Sequence, residues 1–96
     1  MDSYRLTAAA ENDIRGIARD SLQRWGMERA EAYVLGLHDT FQRLVELPGL
    51  GRPADEIRPG YFRMESGSHV VFFLKQAQTV LIVRVLHERM DFARHL

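Results

Sequence analysis

The fold of this chain is decided by residues 69–87, which read HVVFFLKQAQTVLIVRVLH. Two runs rich in β-branched and aromatic residues, 69–75 and 79–87, are separated by a very short link. Runs joined in this way form an antiparallel hairpin. A further run at about 61–65 precedes them, connected through Ser66-Gly67-Ser68. We therefore predict a three-stranded antiparallel meander in the C-terminal half.

Two helices are predicted upstream of the meander. The first spans about Ala8 to Arg24, with Thr7 as its N-cap and Gly26 after its last turn. The second spans about Glu28 to Leu47, and Pro48 is expected to end it. The apolar positions at helical spacing are Ile14, Ile17, Ala18, Leu22 and Trp25 in the first helix and Ala30, Tyr33, Val34, Leu37, Phe41, Leu44 and Val45 in the second. The short link between the helices implies an antiparallel hairpin.

A short strand at Tyr4-Arg5-Leu6 completes the predicted order of elements. The predicted fold class is α+β: a short N-terminal strand, an antiparallel helical hairpin, then a three-stranded antiparallel meander with a short C-terminal tail or helix. Because the chain has 96 residues and 46% hydrophobic content, we expect residues 1–96 to form one domain.

The composition excludes several functional classes. The chain has no cysteine, so it can form neither a disulfide framework nor a thiolate zinc site. Its N-terminal residues lack the basic and then apolar pattern of a signal peptide, and no apolar run approaches the roughly 20 residues that span a bilayer. We therefore expect a cytoplasmic protein that makes no contact with a membrane.

The charge balance argues against autonomous binding of nucleic acid. Lys and Arg number 13, and Asp and Glu also number 13, which gives a formal net charge of zero. Proteins that bind nucleic acid through their own field usually carry a basic excess, because neutralising phosphates supplies most of the affinity. We expect no direct, sequence-specific binding of nucleic acid.

The spacing of polar residues is not typical of a metal, nucleotide or catalytic site. The four histidines, His38, His69, His87 and His95, never occur at the interval of a helical metal site. The Gly49-Leu50-Gly51 motif follows a predicted helix, whereas a nucleotide-binding motif opens a helix after a strand, so we interpret it as a turn. We predict no metal, no cofactor and no catalytic residues.

Both faces of the last predicted strand are largely apolar. Strict alternation places Val80, Ile82, Arg84 and Leu86 on one face and Leu81, Val83 and Val85 on the other. One helical hairpin covers only one face well, and burial stabilises by roughly 25 cal/mol per Å² of apolar surface. We therefore predict that a partner binds the first of these faces. The alternative is that the C-terminal tail and the loop at 48–60 fold over it.

Arg84 lies in the middle of this otherwise apolar face. An unpaired guanidinium there is unfavourable, so Arg84 needs a carboxylate of this chain or a partner. The carboxylates considered from sequence are Glu65, Glu88 and Asp91. Asp91 is also a candidate N-cap for a short terminal helix.

Short motifs occur in a specific order along nearly the whole chain. They are Tyr4-Arg5-Leu6-Thr7 before an Ala-rich helix start, Leu47-Pro48, Gly49-x-Gly51-Arg52, Arg58-Pro59-Gly60-Tyr61, and residues 83–91, which read VRVLHERMD. In this order they resemble the ParE family of the RelE/ParE toxin superfamily. The resemblance implies the toxin of a type II toxin-antitoxin module that is neutralised by a ParD-like antitoxin. It also implies a protein that inhibits DNA gyrase and arrests growth, and that is not an enzyme.

The resemblance and the predicted fold together indicate two binding sites. Tails of this family are implicated in toxicity, so the residues predicted to contact the target are Arg89, Asp91, Arg94 and His95, which leave the sheet together. The residues predicted to bind the antitoxin lie on the face that lacks a cover: Val80, Ile82, Arg84 and Leu86.

The RelE branch is the alternative. Its members are ribosome-dependent mRNA endonucleases, in which basic residues and a terminal tyrosine or histidine perform acid-base chemistry. In this chain Arg89 and His95 fall at or near two such positions, and His69 falls where another arginine is expected. The sheet lysines of that branch have no counterpart. This difference and the zero net charge favour the gyrase inhibitor.

Overall fold

The computed structural model describes residues 3–47 and 49–96. In chain order the elements are β1 (Ser3–Leu6), α1 (Ala8–Trp25), α2 (Met27–Glu46), β2 (Arg52–Pro53), β3 (Phe62–Ser66), β4 (His69–Lys75), β5 (Thr79–His87) and a terminal 3₁₀ helix (Phe92–Arg94). The predicted α+β class is confirmed. Pro48, the predicted end of α2, lies outside the described residues. Neither helix in the described ranges combines the length and the apolar character needed to cross a membrane.

Thr7 caps the start of α1, as predicted. Its hydroxyl accepts a hydrogen bond from Ala10 N at 3.0 Å and donates to Val83 O at 2.7 Å. The first bond satisfies one of the free N–H groups of the helix N-terminus, and the second ties α1 to β5. At the other end of α1, Gly26 has a φ of 88°, which other residues rarely adopt. The predicted break between the helices at Gly26 is confirmed.

The five strands form one mixed sheet in the order β1-β5-β4-β3-β2. Strands β3, β4 and β5 pair antiparallel, which confirms the predicted meander, and β1 pairs parallel with β5. At the far edge, β2 pairs antiparallel with β3. A strand of two residues is too short to show an alternating pattern, which is why β2 is not predicted from sequence.

A β-bulge in β5 changes which way its side chains face. Phe72 pairs with Arg84, but the next residue, Phe73, pairs with Ile82, so Val83 has no partner on β4. In a regular strand, side chains two positions apart lie on the same face of the sheet. The extra residue of the bulge shifts this alternation by one position, so residues on either side of the bulge that would share a face in a regular strand lie on opposite faces. The strict alternation assumed for β5 is therefore wrong.

The helices cover one face of the sheet. The buried side chains of this core are Ala10, Ile17, Leu37, Phe41, Leu44, Val45, Val71, Phe73, Val80, Ile82 and Val85. Val80 and Ile82 precede the bulge and share this face with Val85, which follows it. The prediction that Val80 and Ile82 lie opposite Val85 is therefore wrong.

The other face of the sheet is covered by two segments of the same chain. Its buried residues are Ala54, Val70, Phe72 and Leu86, against which Ile57, Tyr61, Phe92 and Leu96 pack. The Phe92 and Phe72 rings meet edge to face with 5.0 Å between centroids, and the Arg63 guanidinium lies 5.3 Å from the Phe92 centroid. The prediction of an uncovered face is therefore wrong. The loop after α2 and the C-terminal tail cover it, which is the alternative raised from sequence.

Candidate partner-binding surfaces

Arg84 pairs with a carboxylate of α1. Its Nε and Nη2 atoms donate to the two carboxylate oxygens of Asp13, each at 2.8 Å, and this hydrogen bonding raises the pKa of Arg84. Asp13 also accepts a hydrogen bond from Val85 N at 2.9 Å. Because β1 pairs with β5 only as far as Ile82, no strand lies beside Val85 on the side away from β4, and there the Asp13 carboxylate accepts the Val85 N–H instead. The predicted partners of Arg84, namely Glu65, Glu88 and Asp91, are wrong.

The same guanidinium holds the C-terminal tail. Nη1 of Arg84 donates to His95 O at 2.7 Å, and Arg58 donates to the carbonyl oxygen of Leu96. Together with the packing of Phe92, these bonds fix the tail against the sheet. One arginine therefore connects α1, β5 and the tail.

The residues predicted to contact the target are all exposed, on the tail and on the turn before it: Arg89, Asp91, Arg94 and His95. Arg89 donates its backbone N–H to His87 Nδ1 at 3.1 Å. Asp91 holds the N-cap position of the 3₁₀ helix, as predicted, but its side chain makes no capping hydrogen bond. The structure thus presents the four side chains to solvent on one short segment, and their contact with a target stays a prediction.

The residues predicted to bind the antitoxin do not share an accessible face. Val80, Ile82 and Leu86 are no more than 2% exposed, and the bulge leaves Leu86 on the face opposite Val80 and Ile82. Arg84 is engaged by Asp13 and by the tail. In this arrangement the three apolar side chains are inaccessible to a partner, and their contact with an antitoxin stays a prediction.

An apolar groove runs along the helical hairpin. Its apolar lining consists of Ala18, Leu22, Met27, Ala30, Val34 and Leu35, with Glu31 as its charged residue. Leu22, Met27 and Leu35 are 45%, 70% and 56% exposed, although large apolar side chains are normally buried. Contiguous exposed apolar surface of this kind is typical of a protein interaction site.

The apolar positions at helical spacing in α1 include Leu22 and Trp25, but these side chains are 45% and 48% exposed, so this end of the stripe lies outside the buried core. The groove is therefore not evident from the apolar spacing of α1. The usable signal lies in α2, where Leu35 is apolar yet falls outside the apolar stripe. Apolar residues out of phase with a core stripe indicate a second, partner-facing surface.

A cavity of about 160 Å³ lies between the hairpin, the start of β4 and the end of β5. Its polar and aromatic lining includes Asp20, Arg24, Trp25, Tyr33, His69 and His87. Tyr33 Oη lies 2.6 Å from His69 Nδ1 and accepts a hydrogen bond from Ser68 N at 2.9 Å. Burial and then the neighbouring His87 lower the pKa of His69, so its imidazole is neutral at neutral pH. No group of three or more potential metal ligands occurs in residues 3–47 and 49–96.

Comparisons with known proteins assign the chain to a family. Residues 4–92 match the family described as "ParE toxin of type II toxin-antitoxin system, parDE". The chain belongs to the ParE toxin family. Toxin ParE1 of Caulobacter vibrioides is 44% identical over 96 residues, covering 100% of this chain and 99% of the relative. Toxin ParE1 of Mycobacterium tuberculosis is 40% identical over 94 residues, covering 97% and 96%.

Toxin ParE of Escherichia coli is 36% identical over 97 residues, covering 100% of this ParE chain and 94% of the relative. A solved chain described as "Chromosomal ParDE TA system from P. aeruginosa" superposes with a TM-score of 0.78 over 91% of this chain and 96% of that chain, at 23% identity. At that identity the likeness is one of fold. The resemblance to ParE stated from the sequence motifs is confirmed.

Proposed function

We propose that this ParE family member is the single-domain toxin of a type II toxin-antitoxin module. In this proposal it acts in the cytoplasm, is neutralised by a ParD-like antitoxin, and arrests growth by binding DNA gyrase without being an enzyme. The observation that carries the proposal is the family match across residues 4–92, with relatives of nearly the same length named as ParE toxins. The zero formal net charge supports a protein target over autonomous contact with nucleic acid.

The proposed docking site of the antitoxin is the apolar groove of the helical hairpin. A groove on two helices is suited to an amphipathic helix that lays its apolar face along it. Leu22, Met27 and Leu35 would receive that face, and the carboxylate of Glu31 would favour a lysine or arginine beside it. The occupant is therefore an antitoxin segment, disordered when free, with an apolar stripe and a flanking cation.

Leu22→Asp tests this docking site. Burying a leucine side chain contributes about 1.5–3 kcal/mol, so the variant should bind the antitoxin about 10- to 100-fold more weakly in calorimetry. Leu47→Asp is the matched control, because Leu47 is 53% exposed and does not line the groove. Circular dichroism should show both variants folded. Equal affinities for the two variants would contradict the assignment.

The proposed target is tested by two reactions run side by side. Added to gyrase, relaxed DNA and ATP, the purified protein should inhibit supercoiling or trap cleaved DNA. Added to translating ribosomes, it should leave messenger RNA intact, because RNA cleavage needs a positioned base, a positioned acid and a positive field on the phosphate. Ribosome-dependent cuts that disappear in Arg89→Ala or His95→Ala would instead support a RelE-like endonuclease.

The role of the tail needs point substitutions, because a truncation would also uncover the sheet. Phe92 and Leu96 pack on a buried cluster, whereas Arg94 is exposed. Arg94→Ala should therefore weaken inhibition of gyrase while leaving thermal stability and antitoxin affinity unchanged. Arg43→Ala, at an exposed position near the end of α2, is the control for removing a cation. Loss of stability in Arg94→Ala would assign this residue to folding.

A further inference from the structure

The cavity beside His69 is not used by the proposed contacts with antitoxin or gyrase. It lies near the apolar groove, because Trp25 lines the cavity and Leu22, one turn earlier on α1, lines the groove, although the two have no described lining residue in common. Its volume of about 160 Å³ is close to that of cavities that hold one benzene molecule, roughly 150 Å³. The cavity is therefore large enough for one short side chain of a peptide that extends beyond the groove.

The hydrogen bonds of His87 define its tautomer. Its Nδ1 accepts the backbone N–H of Arg89 at 3.1 Å. A backbone N–H can only donate, so Nδ1 carries no proton and the ring hydrogen lies on Nε2. His87 therefore offers an Nε2–H donor.

His69 can gain a proton without losing a hydrogen bond. Tyr33 Oη accepts from Ser68 N, and its own hydrogen can point to His69 Nδ1 at 2.6 Å or to Ser66 O at 3.3 Å. When His69 is neutral, the hydroxyl donates to Nδ1. When His69 is protonated, Nδ1–H donates to Tyr33 Oη and the hydroxyl turns to Ser66 O. The hydrogen bonds of His69 therefore accommodate both its neutral and its protonated form.

The free polar atoms of the cavity are mostly donors. No hydrogen bond joins Nε2 of His69 or His87 to another group in the described part of the chain. Arg24 lines the same cavity, and Asp20 is its one carboxylate. We propose that the cavity binds a carboxylate group through Arg24 and the Nε2–H groups of His69 and His87, and that His69 takes up a proton when it binds.

A carboxylate fits better than a phosphate. Asp20 contributes a negative charge to the lining, and a phosphate dianion would be repelled more strongly than a singly charged group. The source that fits the nearby groove is an acidic side chain of the bound antitoxin, so this inference rests on the proposed function. A small free carboxylate has the same chemistry, and the experiment below separates the two sources.

The charges around His69 determine the sign of the pH dependence. The groups that face it are Asp13, Arg19, Asp20 and Arg24 from α1, Tyr33 from α2, His87 from β5 and Glu88 after β5. Together with burial, these groups leave the pKa of His69 below its usual value. The residue of β3 that pairs with His69 is Ser66, which carries no charge. A bound carboxylate would raise that pKa. Affinity should therefore increase as the pH falls, by up to about tenfold per pH unit between the two pKa values.

Two substitutions of His69 separate ligand binding from structure. In His69→Asn, the amide oxygen replaces Nδ1 as the acceptor for Tyr33, but no donor remains at the position of Nε2. In His69→Gln, the amide can place a donor at that position. We expect His69→Asn to lose binding and the pH dependence, and His69→Gln to keep binding without the pH dependence. Equal binding by both variants would overturn the assignment.

The first measurement uses the protein alone. Acetate and inorganic phosphate are titrated separately, with the fluorescence of Trp25, the single tryptophan, as the signal. Saturable binding of acetate that is lost in His69→Asn supports a carboxylate site. Tighter binding of phosphate than of acetate overturns the choice of carboxylate.

The second measurement uses the antitoxin. Its affinity for the wild-type protein should rise by about tenfold or more from about pH 8 to about pH 6, while His69→Asn shows a flat profile. This result without any binding of acetate assigns the carboxylate to an antitoxin side chain. A flat wild-type profile with tight antitoxin binding overturns this inference and leaves the proposed function intact. No antitoxin binding at any pH overturns the proposed function, and the acetate titration then decides the cavity by itself.

Discussion

Removing the Asp13 carboxylate should destabilise the fold, because this group joins α1 to β5. Asp13 accepts three hydrogen bonds, two from the Arg84 guanidinium at 2.8 Å and one from Val85 N at 2.9 Å. In Asp13→Ala the guanidinium keeps its bond to His95 O, and Val85 N–H loses its partner. Because Arg84 also holds the tail, the effect should extend from α1 to the cover of the sheet.

The size of the effect follows from the burial of the pair. Breaking a fully buried ion pair costs about 3–5 kcal/mol, and a hydrogen bond to a charged group contributes about 1.5–3 kcal/mol. The Arg84 and Asp13 side chains are 22% and 12% exposed, so water recovers part of the loss. We expect Asp13→Ala to lower the free energy of unfolding by about 2–3 kcal/mol, which corresponds to roughly 10–20 °C in Tm for a domain of this size.

Urea unfolding followed by circular dichroism measures this change. Asp39→Ala, at an exposed position on α2, is the matched control and should change stability by less than about 0.5 kcal/mol. A double-mutant cycle of Asp13→Ala with Arg84→Ala should give a coupling free energy of about 1–2 kcal/mol. A loss below about 1 kcal/mol, or additive effects in the cycle, would refute the reasoning that this pair joins α1, β5 and the tail.

Three further predictions concern the tail, the turn between β3 and β4, and His69. Phe92→Ala should lower the free energy of unfolding by about 1–2 kcal/mol in urea titrations, because half-buried Phe92 covers Phe72. An unchanged urea midpoint would show that packing of the tail does not stabilise the sheet. Gly67→Ala should lower the free energy of unfolding by about 1–3 kcal/mol, because Gly67 has a φ of 59° and a Cβ would lie 2.5 Å from Tyr33 Oη. A thermal melt like that of the wild type would show that the alanine is accommodated without strain. The folded pKa of His69 lies below its unfolded value of about 6.5, so the unfolded state binds more protons and stability should decline as pH falls through about 6.5. His69→Asn should show a smaller decline in urea midpoint between neutral and mildly acidic pH, and an equal decline would exclude His69 as its source.

The sequence determined the features of this protein that depend on neighbouring residues. The N-cap at Thr7, the break at Gly26 and the strands of the meander follow from hydrogen bonding and side-chain periodicity within a few positions. The order of its short motifs also identified the ParE family, which the family match over residues 4–92 confirms. The polar tail residues could also be identified from the local sequence, because they directly follow a buried strand.

Only the tertiary structure decided the features that depend on residues far apart in the chain. The partner of Arg84 is Asp13, 71 positions away, and neither neighbourhood indicates the other. The bulge at Val83 reverses the faces of β5, because one extra residue shifts a period of two and alternation alone cannot show where pairing slips. The groove at Leu22 and Leu35 was missed because apolar periodicity indicates that a residue can be buried, whereas only the packed arrangement determines which apolar residues remain for a partner.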